Sequence, residues 1–131
     1  MLSKRVEHDL WARQMDELLA SWRDAHSGSE PNFLRALFEF VETAPHRDFI
    51  QGLALPPGKR FNSLIELGAF QCAVLEWLAD ESSFMISRSP DGLHIATVVL
   101  AGQGIEGTAK ARTGGLALAG AILLSLAEAN A

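Results

Sequence analysis

The sequence predicts an α+β fold: two N-terminal helices, a central helix, a small antiparallel sheet and a C-terminal helix packed on it. Three observations carry this reading. Apolar residues recur at helical spacing over residues 6–22 and again over 33–41, the period of amphipathic helices. Two strand-like runs, 84–88 and 93–100, flank Ser89-Pro90-Asp91-Gly92, whose residue types suit a hairpin turn. Residues 113–127 carry no charge and are rich in Ala, Leu and Gly, as expected of a helix buried against a sheet.

Each element has its own justification. In the first helix Val6, Leu10, Trp11, Met15, Leu18, Leu19 and Trp22 alternate with charged positions, and Leu10, Leu18 and Trp22 are expected to lie on one buried stripe. Trp11, Met15, Leu18 and Trp22 follow a 4-3-4 rhythm, too short for a coiled coil. Ser27-Gly28-Ser29 breaks the pattern. A second helix starts there, with Ser27 and Glu30 at capping-box spacing and Pro31 in the first turn. Its apolar residues cover more than one face, which places it between layers or leaves a phenylalanine for a partner. Residues 45–60 hold Pro45, Gly52, Pro56, Pro57 and Gly58 and read as a hinge or boundary. Ser63 and Glu66 repeat the capping spacing, predicting a central buried helix over 64–80. After the hairpin, residues 105–112 alternate as a third, edge strand of small residues. Glu106, Thr108, Lys110 and Arg112 lie on one side of it, with Ile105, Gly107, Ala109 and Ala111 on the other. Thr113 caps the last helix.

The whole chain, 1–131, reads as a single domain with a helical N-terminal part, 1–45, and an α-β-β-β-α core, 61–131. With 48% hydrophobic and 21% charged residues, global disorder is excluded. A net charge of −5 opposes an extended basic surface, so nucleic acid is not expected as a partner. Cys72 is the only cysteine, which rules out an internal disulfide and fits a reducing compartment. The N-terminal residues lack the apolar stretch of a signal peptide. The uncharged stretch 113–127 is shorter than the roughly 20 residues of a membrane span. The expectation is a cytoplasmic protein without membrane contact.

Gly102-Gln103-Gly104-Ile105-Glu106-Gly107 matches G-x-G-x-x-G behind a strand. A dinucleotide site also needs a helix over the pyrophosphate, a second parallel strand and a suitably placed acid. Only an edge strand and one helix follow, so Gly102 and Gly104 are read as turn residues. Lys110, Arg112 and Thr113 form a weak anion-binding candidate, because they precede the N-terminus of the last helix, where free amides favour negative charge. Cys72, set among Ala69, Phe70, Ala73 and Val74, is expected to be a buried, inert thiol. His8, His26, His46 and His94 have no ligand spacing, and Asp16-Glu17 and Asp80-Glu81 read as solvated pairs. No catalytic residue, metal site or cofactor is assigned, and an enzyme is not the favoured class.

With these elements placed, residues 61–129 resemble the small phage-type ABA sandwich domain, in which helices cover a short antiparallel sheet. The resemblance rests on Phe61-Asn62-Ser63-Leu64-Ile65 opening a helix, on the hairpin, and on Leu116, Ala119, Ala121, Leu124 and Leu126 of the last helix. It implies a packing layout and no activity. The same element order resembles a double-stranded-RNA-binding domain, which carries a lysine pair at the start of its last helix. Ala109-Lys110-Ala111-Arg112-Thr113-Gly114-Gly115 offers only two separated basic residues there.

The function expected from sequence is a small acidic protein-binding module of an accessory, immunity or chaperone-like kind. Its partner is a protein or a second copy, met through Trp11, Trp22, Phe38 and Phe40, since aromatic residues dominate binding hot spots. The alternative is a weak binder of an anion, a nucleotide or nucleic acid at Lys110 and Arg112.

Overall fold

The computed structural model describes residues 2–131, arranged as five helices and three strands in the order α1 (Lys4–Asp24), α2 (Glu30–Glu42), α3 (Gly58–Glu66), α4 (Phe70–Leu75), β1 (Ser83–Arg88), β2 (His94–Val99), β3 (Glu106–Ala111) and α5 (Gly114–Ala129). The expected α+β architecture is present. The strands form one antiparallel sheet in the order β1-β2-β3. On one side α5 packs on β2 and β3, and its far side meets α1, α2 and α4. A helix covered on both sides can be apolar all round, which is why α5 carries no amphipathic stripe. Leu116, Ala117, Leu118, Ala119, Ile122 and Leu123 are all fully or almost fully buried. This helix, rather than the third, is the central one.

In α1 the Ser3 hydroxyl accepts from the Val6 amide at 3.2 Å and caps the helix. Its buried stripe is Trp11, Met15 and Leu19. Leu18 and Trp22 are half-buried against the core, but Leu10 is 45% exposed. The predicted Leu10-centred stripe is therefore rotated by one position, and helical spacing alone does not decide between adjacent stripes on such an apolar helix. The Ser27–Glu30 capping box does not form. Ser29 precedes α2 without a side-chain cap, and Glu30 is turned inward. The six large apolar residues of α2 from Phe33 to Val41 are all buried, so this helix sits between layers.

Residues 45–60 are not an open hinge. A 3-10 turn, Arg47–Ile50, buries Phe49. The Ala54 amide donates to Trp77 O at 2.7 Å and the Ala79 amide to Gly52 O at 3.0 Å, stitching the segment to the residues after α4. The single helix expected over 64–80 is two short ones. Gly68 adopts φ +73° between them, a left-handed conformation that glycine enters without steric penalty. Leu67 beside it is exposed, and α3 starts earlier than the Ser63 signal, behind Pro57. Ser63 instead donates its hydroxyl to Lys59 O, 3.0 Å away inside α3.

The hairpin and third strand lie as expected. Ser89 donates its amide to Leu93 O at 2.9 Å to start the β1–β2 ladder. Gly102 and Gly104, at φ +81° and +65°, turn β2 into antiparallel β3. They join strand to strand instead of strand to helix, so the fingerprint glycines are turn glycines. Ala96, Val98, Gly107 and Ala109 are the buried side of the sheet, against α5. The chain comes closest at Gly107, where a β-carbon would overlap Ala121 O and lie 2.8 Å from the Ser125 amide.

Candidate functional site

The aromatic residues read as partner contacts are mostly core. Trp11 stacks on Phe40 with centroids 4.7 Å apart, and Phe38 stacks on Phe61 at 4.3 Å beside Trp77. Trp11, Phe38 and Phe40 are buried, with only an edge of Trp11 and of Phe40 reaching a surface cleft. The cause is simple: large flat rings fill the gaps between helices, Trp11 of α1 against Phe40 of α2 and Phe38 of α2 against Phe61 of α3. Trp22 is half-buried and donates Nε1–H to Leu116 O at 2.7 Å. Its ring lies against Gly120, where a β-carbon would overlap it. Trp22 holds α1 to α5.

The N-terminus of α5 is already served by an internal anion. Thr113 caps the helix, accepting from the Leu116 amide at 3.1 Å, and donates its hydroxyl to Glu30 Oε2 at 3.0 Å. Glu30 is 2% exposed and its carboxylate lies over Gly115, where any β-carbon would overlap it. Burial raises the Glu30 pKa from its ordinary value, while the Thr113 hydrogen bond and the charge of His94 pull it the other way. A carboxylate is the group a helix N-terminus favours. The predicted anion site therefore loses Thr113 to Glu30, whose carboxyl occupies the space over Gly115. Lys110 and Arg112 instead line a cleft of about 290 Å³ with Trp22, Arg23, Ala25, His26, Leu93 and Leu116. Arg23, Lys110 and Arg112 make no ion pair among the described residues.

Cys72 is exposed, contrary to the buried thiol expected from its apolar neighbours, because α4 is a short surface helix and turns only Ala73 and Val74 inward. Among the described residues no group of three or more His, Cys, Asp or Glu could hold a metal ion. No helix of the described residues is long and apolar enough to cross a membrane. A cleft of about 610 Å³ runs along the 45–60 segment between Val41, Ile50, Leu53, Leu55 and Pro56. Glu42 and Arg47, its charged lining residues, are both exposed, so no buried polar group converges on it.

One edge with unmet bonding capacity is β1. It is an outer strand of the sheet, and five of its six residues are exposed. The helix layer stops short of it, since α5 packs on β2 and β3. Phe84 is 51% and Met85 69% exposed, on opposite faces because successive side chains alternate. Ladder bonds also alternate along an antiparallel strand. The Ser89 amide faces Leu93, and the continuous register then turns Ser87, Met85 and Ser83 toward β2. Phe84, Ile86 and Arg88 accordingly direct their N–H and C=O groups away from the sheet. The other outer strand, β3, displays Glu106 and Lys110, charges that discourage strand pairing. Between its terminal serines and Arg88, β1 has no such guard. Sequence reading placed the strand but missed its exposed edge. The available signal was Phe84-Met85-Ile86, a consecutive apolar run where one-sided strands alternate.

Comparison with protein-family models, with curated proteins and with solved structures returned no match.

Proposed function

We propose that this protein is a protein-binding module that captures an extended segment through the outer edge of β1. The observation that supports it best is the conjunction along β1 of outward backbone groups at Phe84, Ile86 and Arg88 with exposed apolar side chains on the two faces, Phe84 on one and Met85 on the other. An extended segment laid along this edge gains main-chain hydrogen bonds, and the Phe84 and Met85 faces supply apolar contact and selectivity. This moves the binding surface expected from sequence away from Trp11, Phe38 and Phe40, whose rings serve the core. The ABA-sandwich resemblance of residues 61–129 rests on this sheet and on α5 packed against it, and the binding edge belongs to that sheet.

The test is selection of extended peptides from a random library, followed by amide NMR titration. Bound peptides should perturb Phe84, Ile86 and Arg88. Binding should vanish in Phe84→Pro, which removes an outward N–H without touching the β1–β2 ladder. Peptides that perturb the Arg112 cleft instead, or that bind Phe84→Pro unchanged, would overturn the proposal.

A further inference from the structure

We infer that the segment β1 captures is β1 of a second copy of this chain, so that two three-stranded sheets join into one across a two-fold axis. The inference rests on the binding edge proposed above and adds its occupant.

Charge selects a second copy. The edge is negative at its start, where exposed Asp80 and Glu81 precede β1, apolar at Phe84-Met85-Ile86, and positive at Arg88. None of the three charged residues makes an ion pair among the described residues. Two such edges match when they run antiparallel: each Arg88 approaches the acidic start of the other strand, and apolar centre meets apolar centre. A parallel arrangement would set like charges together.

Geometry then restricts the register. A two-fold axis perpendicular to the sheet keeps both α5 helices on the same side, and residues directly opposite in an antiparallel pair share a face. Only registers pairing even with even and odd with odd numbers satisfy both conditions. One such register puts Met85 on the axis against itself and sets Arg88 opposite Ser82 of the other copy, next to Glu81 in the chain. Phe84 then lies opposite Ile86, and Ser83 opposite Ser87. Phe84 and Ile86 are the residues whose backbone groups point outward, so the seam is hydrogen-bonded where the strand has groups to offer. The Met85 pair is a non-hydrogen-bonded one, the kind with the closest side chains.

The test combines mass and cross-linking on the full chain. Sedimentation equilibrium from micromolar to millimolar protein should show a species of twice the 14.2 kDa chain mass. Arg88→Glu should weaken association by about tenfold or more, since it replaces attraction with repulsion at both ends of the seam. Glu81→Lys added to Arg88→Glu should restore it. In a Cys72→Ser background, Met85→Cys should oxidise to a covalent dimer, while Thr108→Cys on the opposite edge should not. Far-UV circular dichroism of each variant establishes that it is folded. A monomer at every concentration would overturn the inference, as would a dimer indifferent to the charge reversals or cross-linked equally well at Thr108→Cys. A monomer that still binds peptides along β1 sinks only the second copy. A monomer that binds none there sinks the edge reading as well.

Discussion

Gly120 tests the packing of α1 on α5 with a change of sign. In an isolated helix, alanine is favoured over glycine by about 1 kcal/mol. In α5 the added methyl would overlap Cε2 and Cζ2 of Trp22 and come within 2.7 Å of its Nε1. The ring is not free to withdraw, because Nε1 donates to Leu116 O at 2.7 Å. Overpacking a filled site costs roughly 1–3 kcal/mol. Losing the indole hydrogen bond adds roughly 0.5–1.5 kcal/mol. Set against the propensity gain, Gly120→Ala should destabilise the protein by about 1–3 kcal/mol, legible in a domain whose net stability is on the order of 5–15 kcal/mol. In a Trp22→Ala background the obstacle is gone, and the same substitution should stabilise by up to about 1 kcal/mol. Urea denaturation followed by far-UV circular dichroism measures all four corners of the cycle without relying on Trp22 fluorescence. A Gly120→Ala protein as stable as the parent, or an equal cost in both backgrounds, would refute the seating of the ring.

Two further outcomes are expected. Burial raises the Glu30 pKa above its ordinary 4.5, so the stability it contributes is fully present below that pH and is lost as pH rises through the raised value. Glu30→Gln, which cannot ionise, should gain on the parent as pH increases across that window, and a difference in urea midpoint that is constant with pH would contradict this. Cys72, being exposed, should react stoichiometrically with a thiol reagent in the native protein. Labelling that appears only on addition of denaturant would show the thiol to be buried after all.

Much of the architecture was legible because it is local. The Ser89–Gly92 turn, the small-residue alternation of β3 and the Thr113 cap depend on residues near in sequence, and each lies where its chemistry puts it. Glu30 was not legible as a partner of Thr113, because 83 positions separate them. Gly114 and Gly115 were the only trace: glycines opening an otherwise apolar helix mark a close approach, without naming what approaches. Cys72 misled for a related reason. Apolar neighbours announce a buried helix only if the helix is long enough to have an inner and an outer side, and Gly68 cuts this one short.

By itself, the sequence determined the period of each element, the turns between the strands and the charge pattern of β1 from Asp80 to Arg88. Those properties follow from side-chain chemistry over a few residues. Which aromatics are core and which apolar residues face water was decided only by tertiary structure. Trp11 and Phe84 are equally hydrophobic signals in a string of letters. The difference is that α2 supplies a ring for Trp11 to stack on, whereas the helix layer ends before it reaches β1 and leaves Phe84 in solvent.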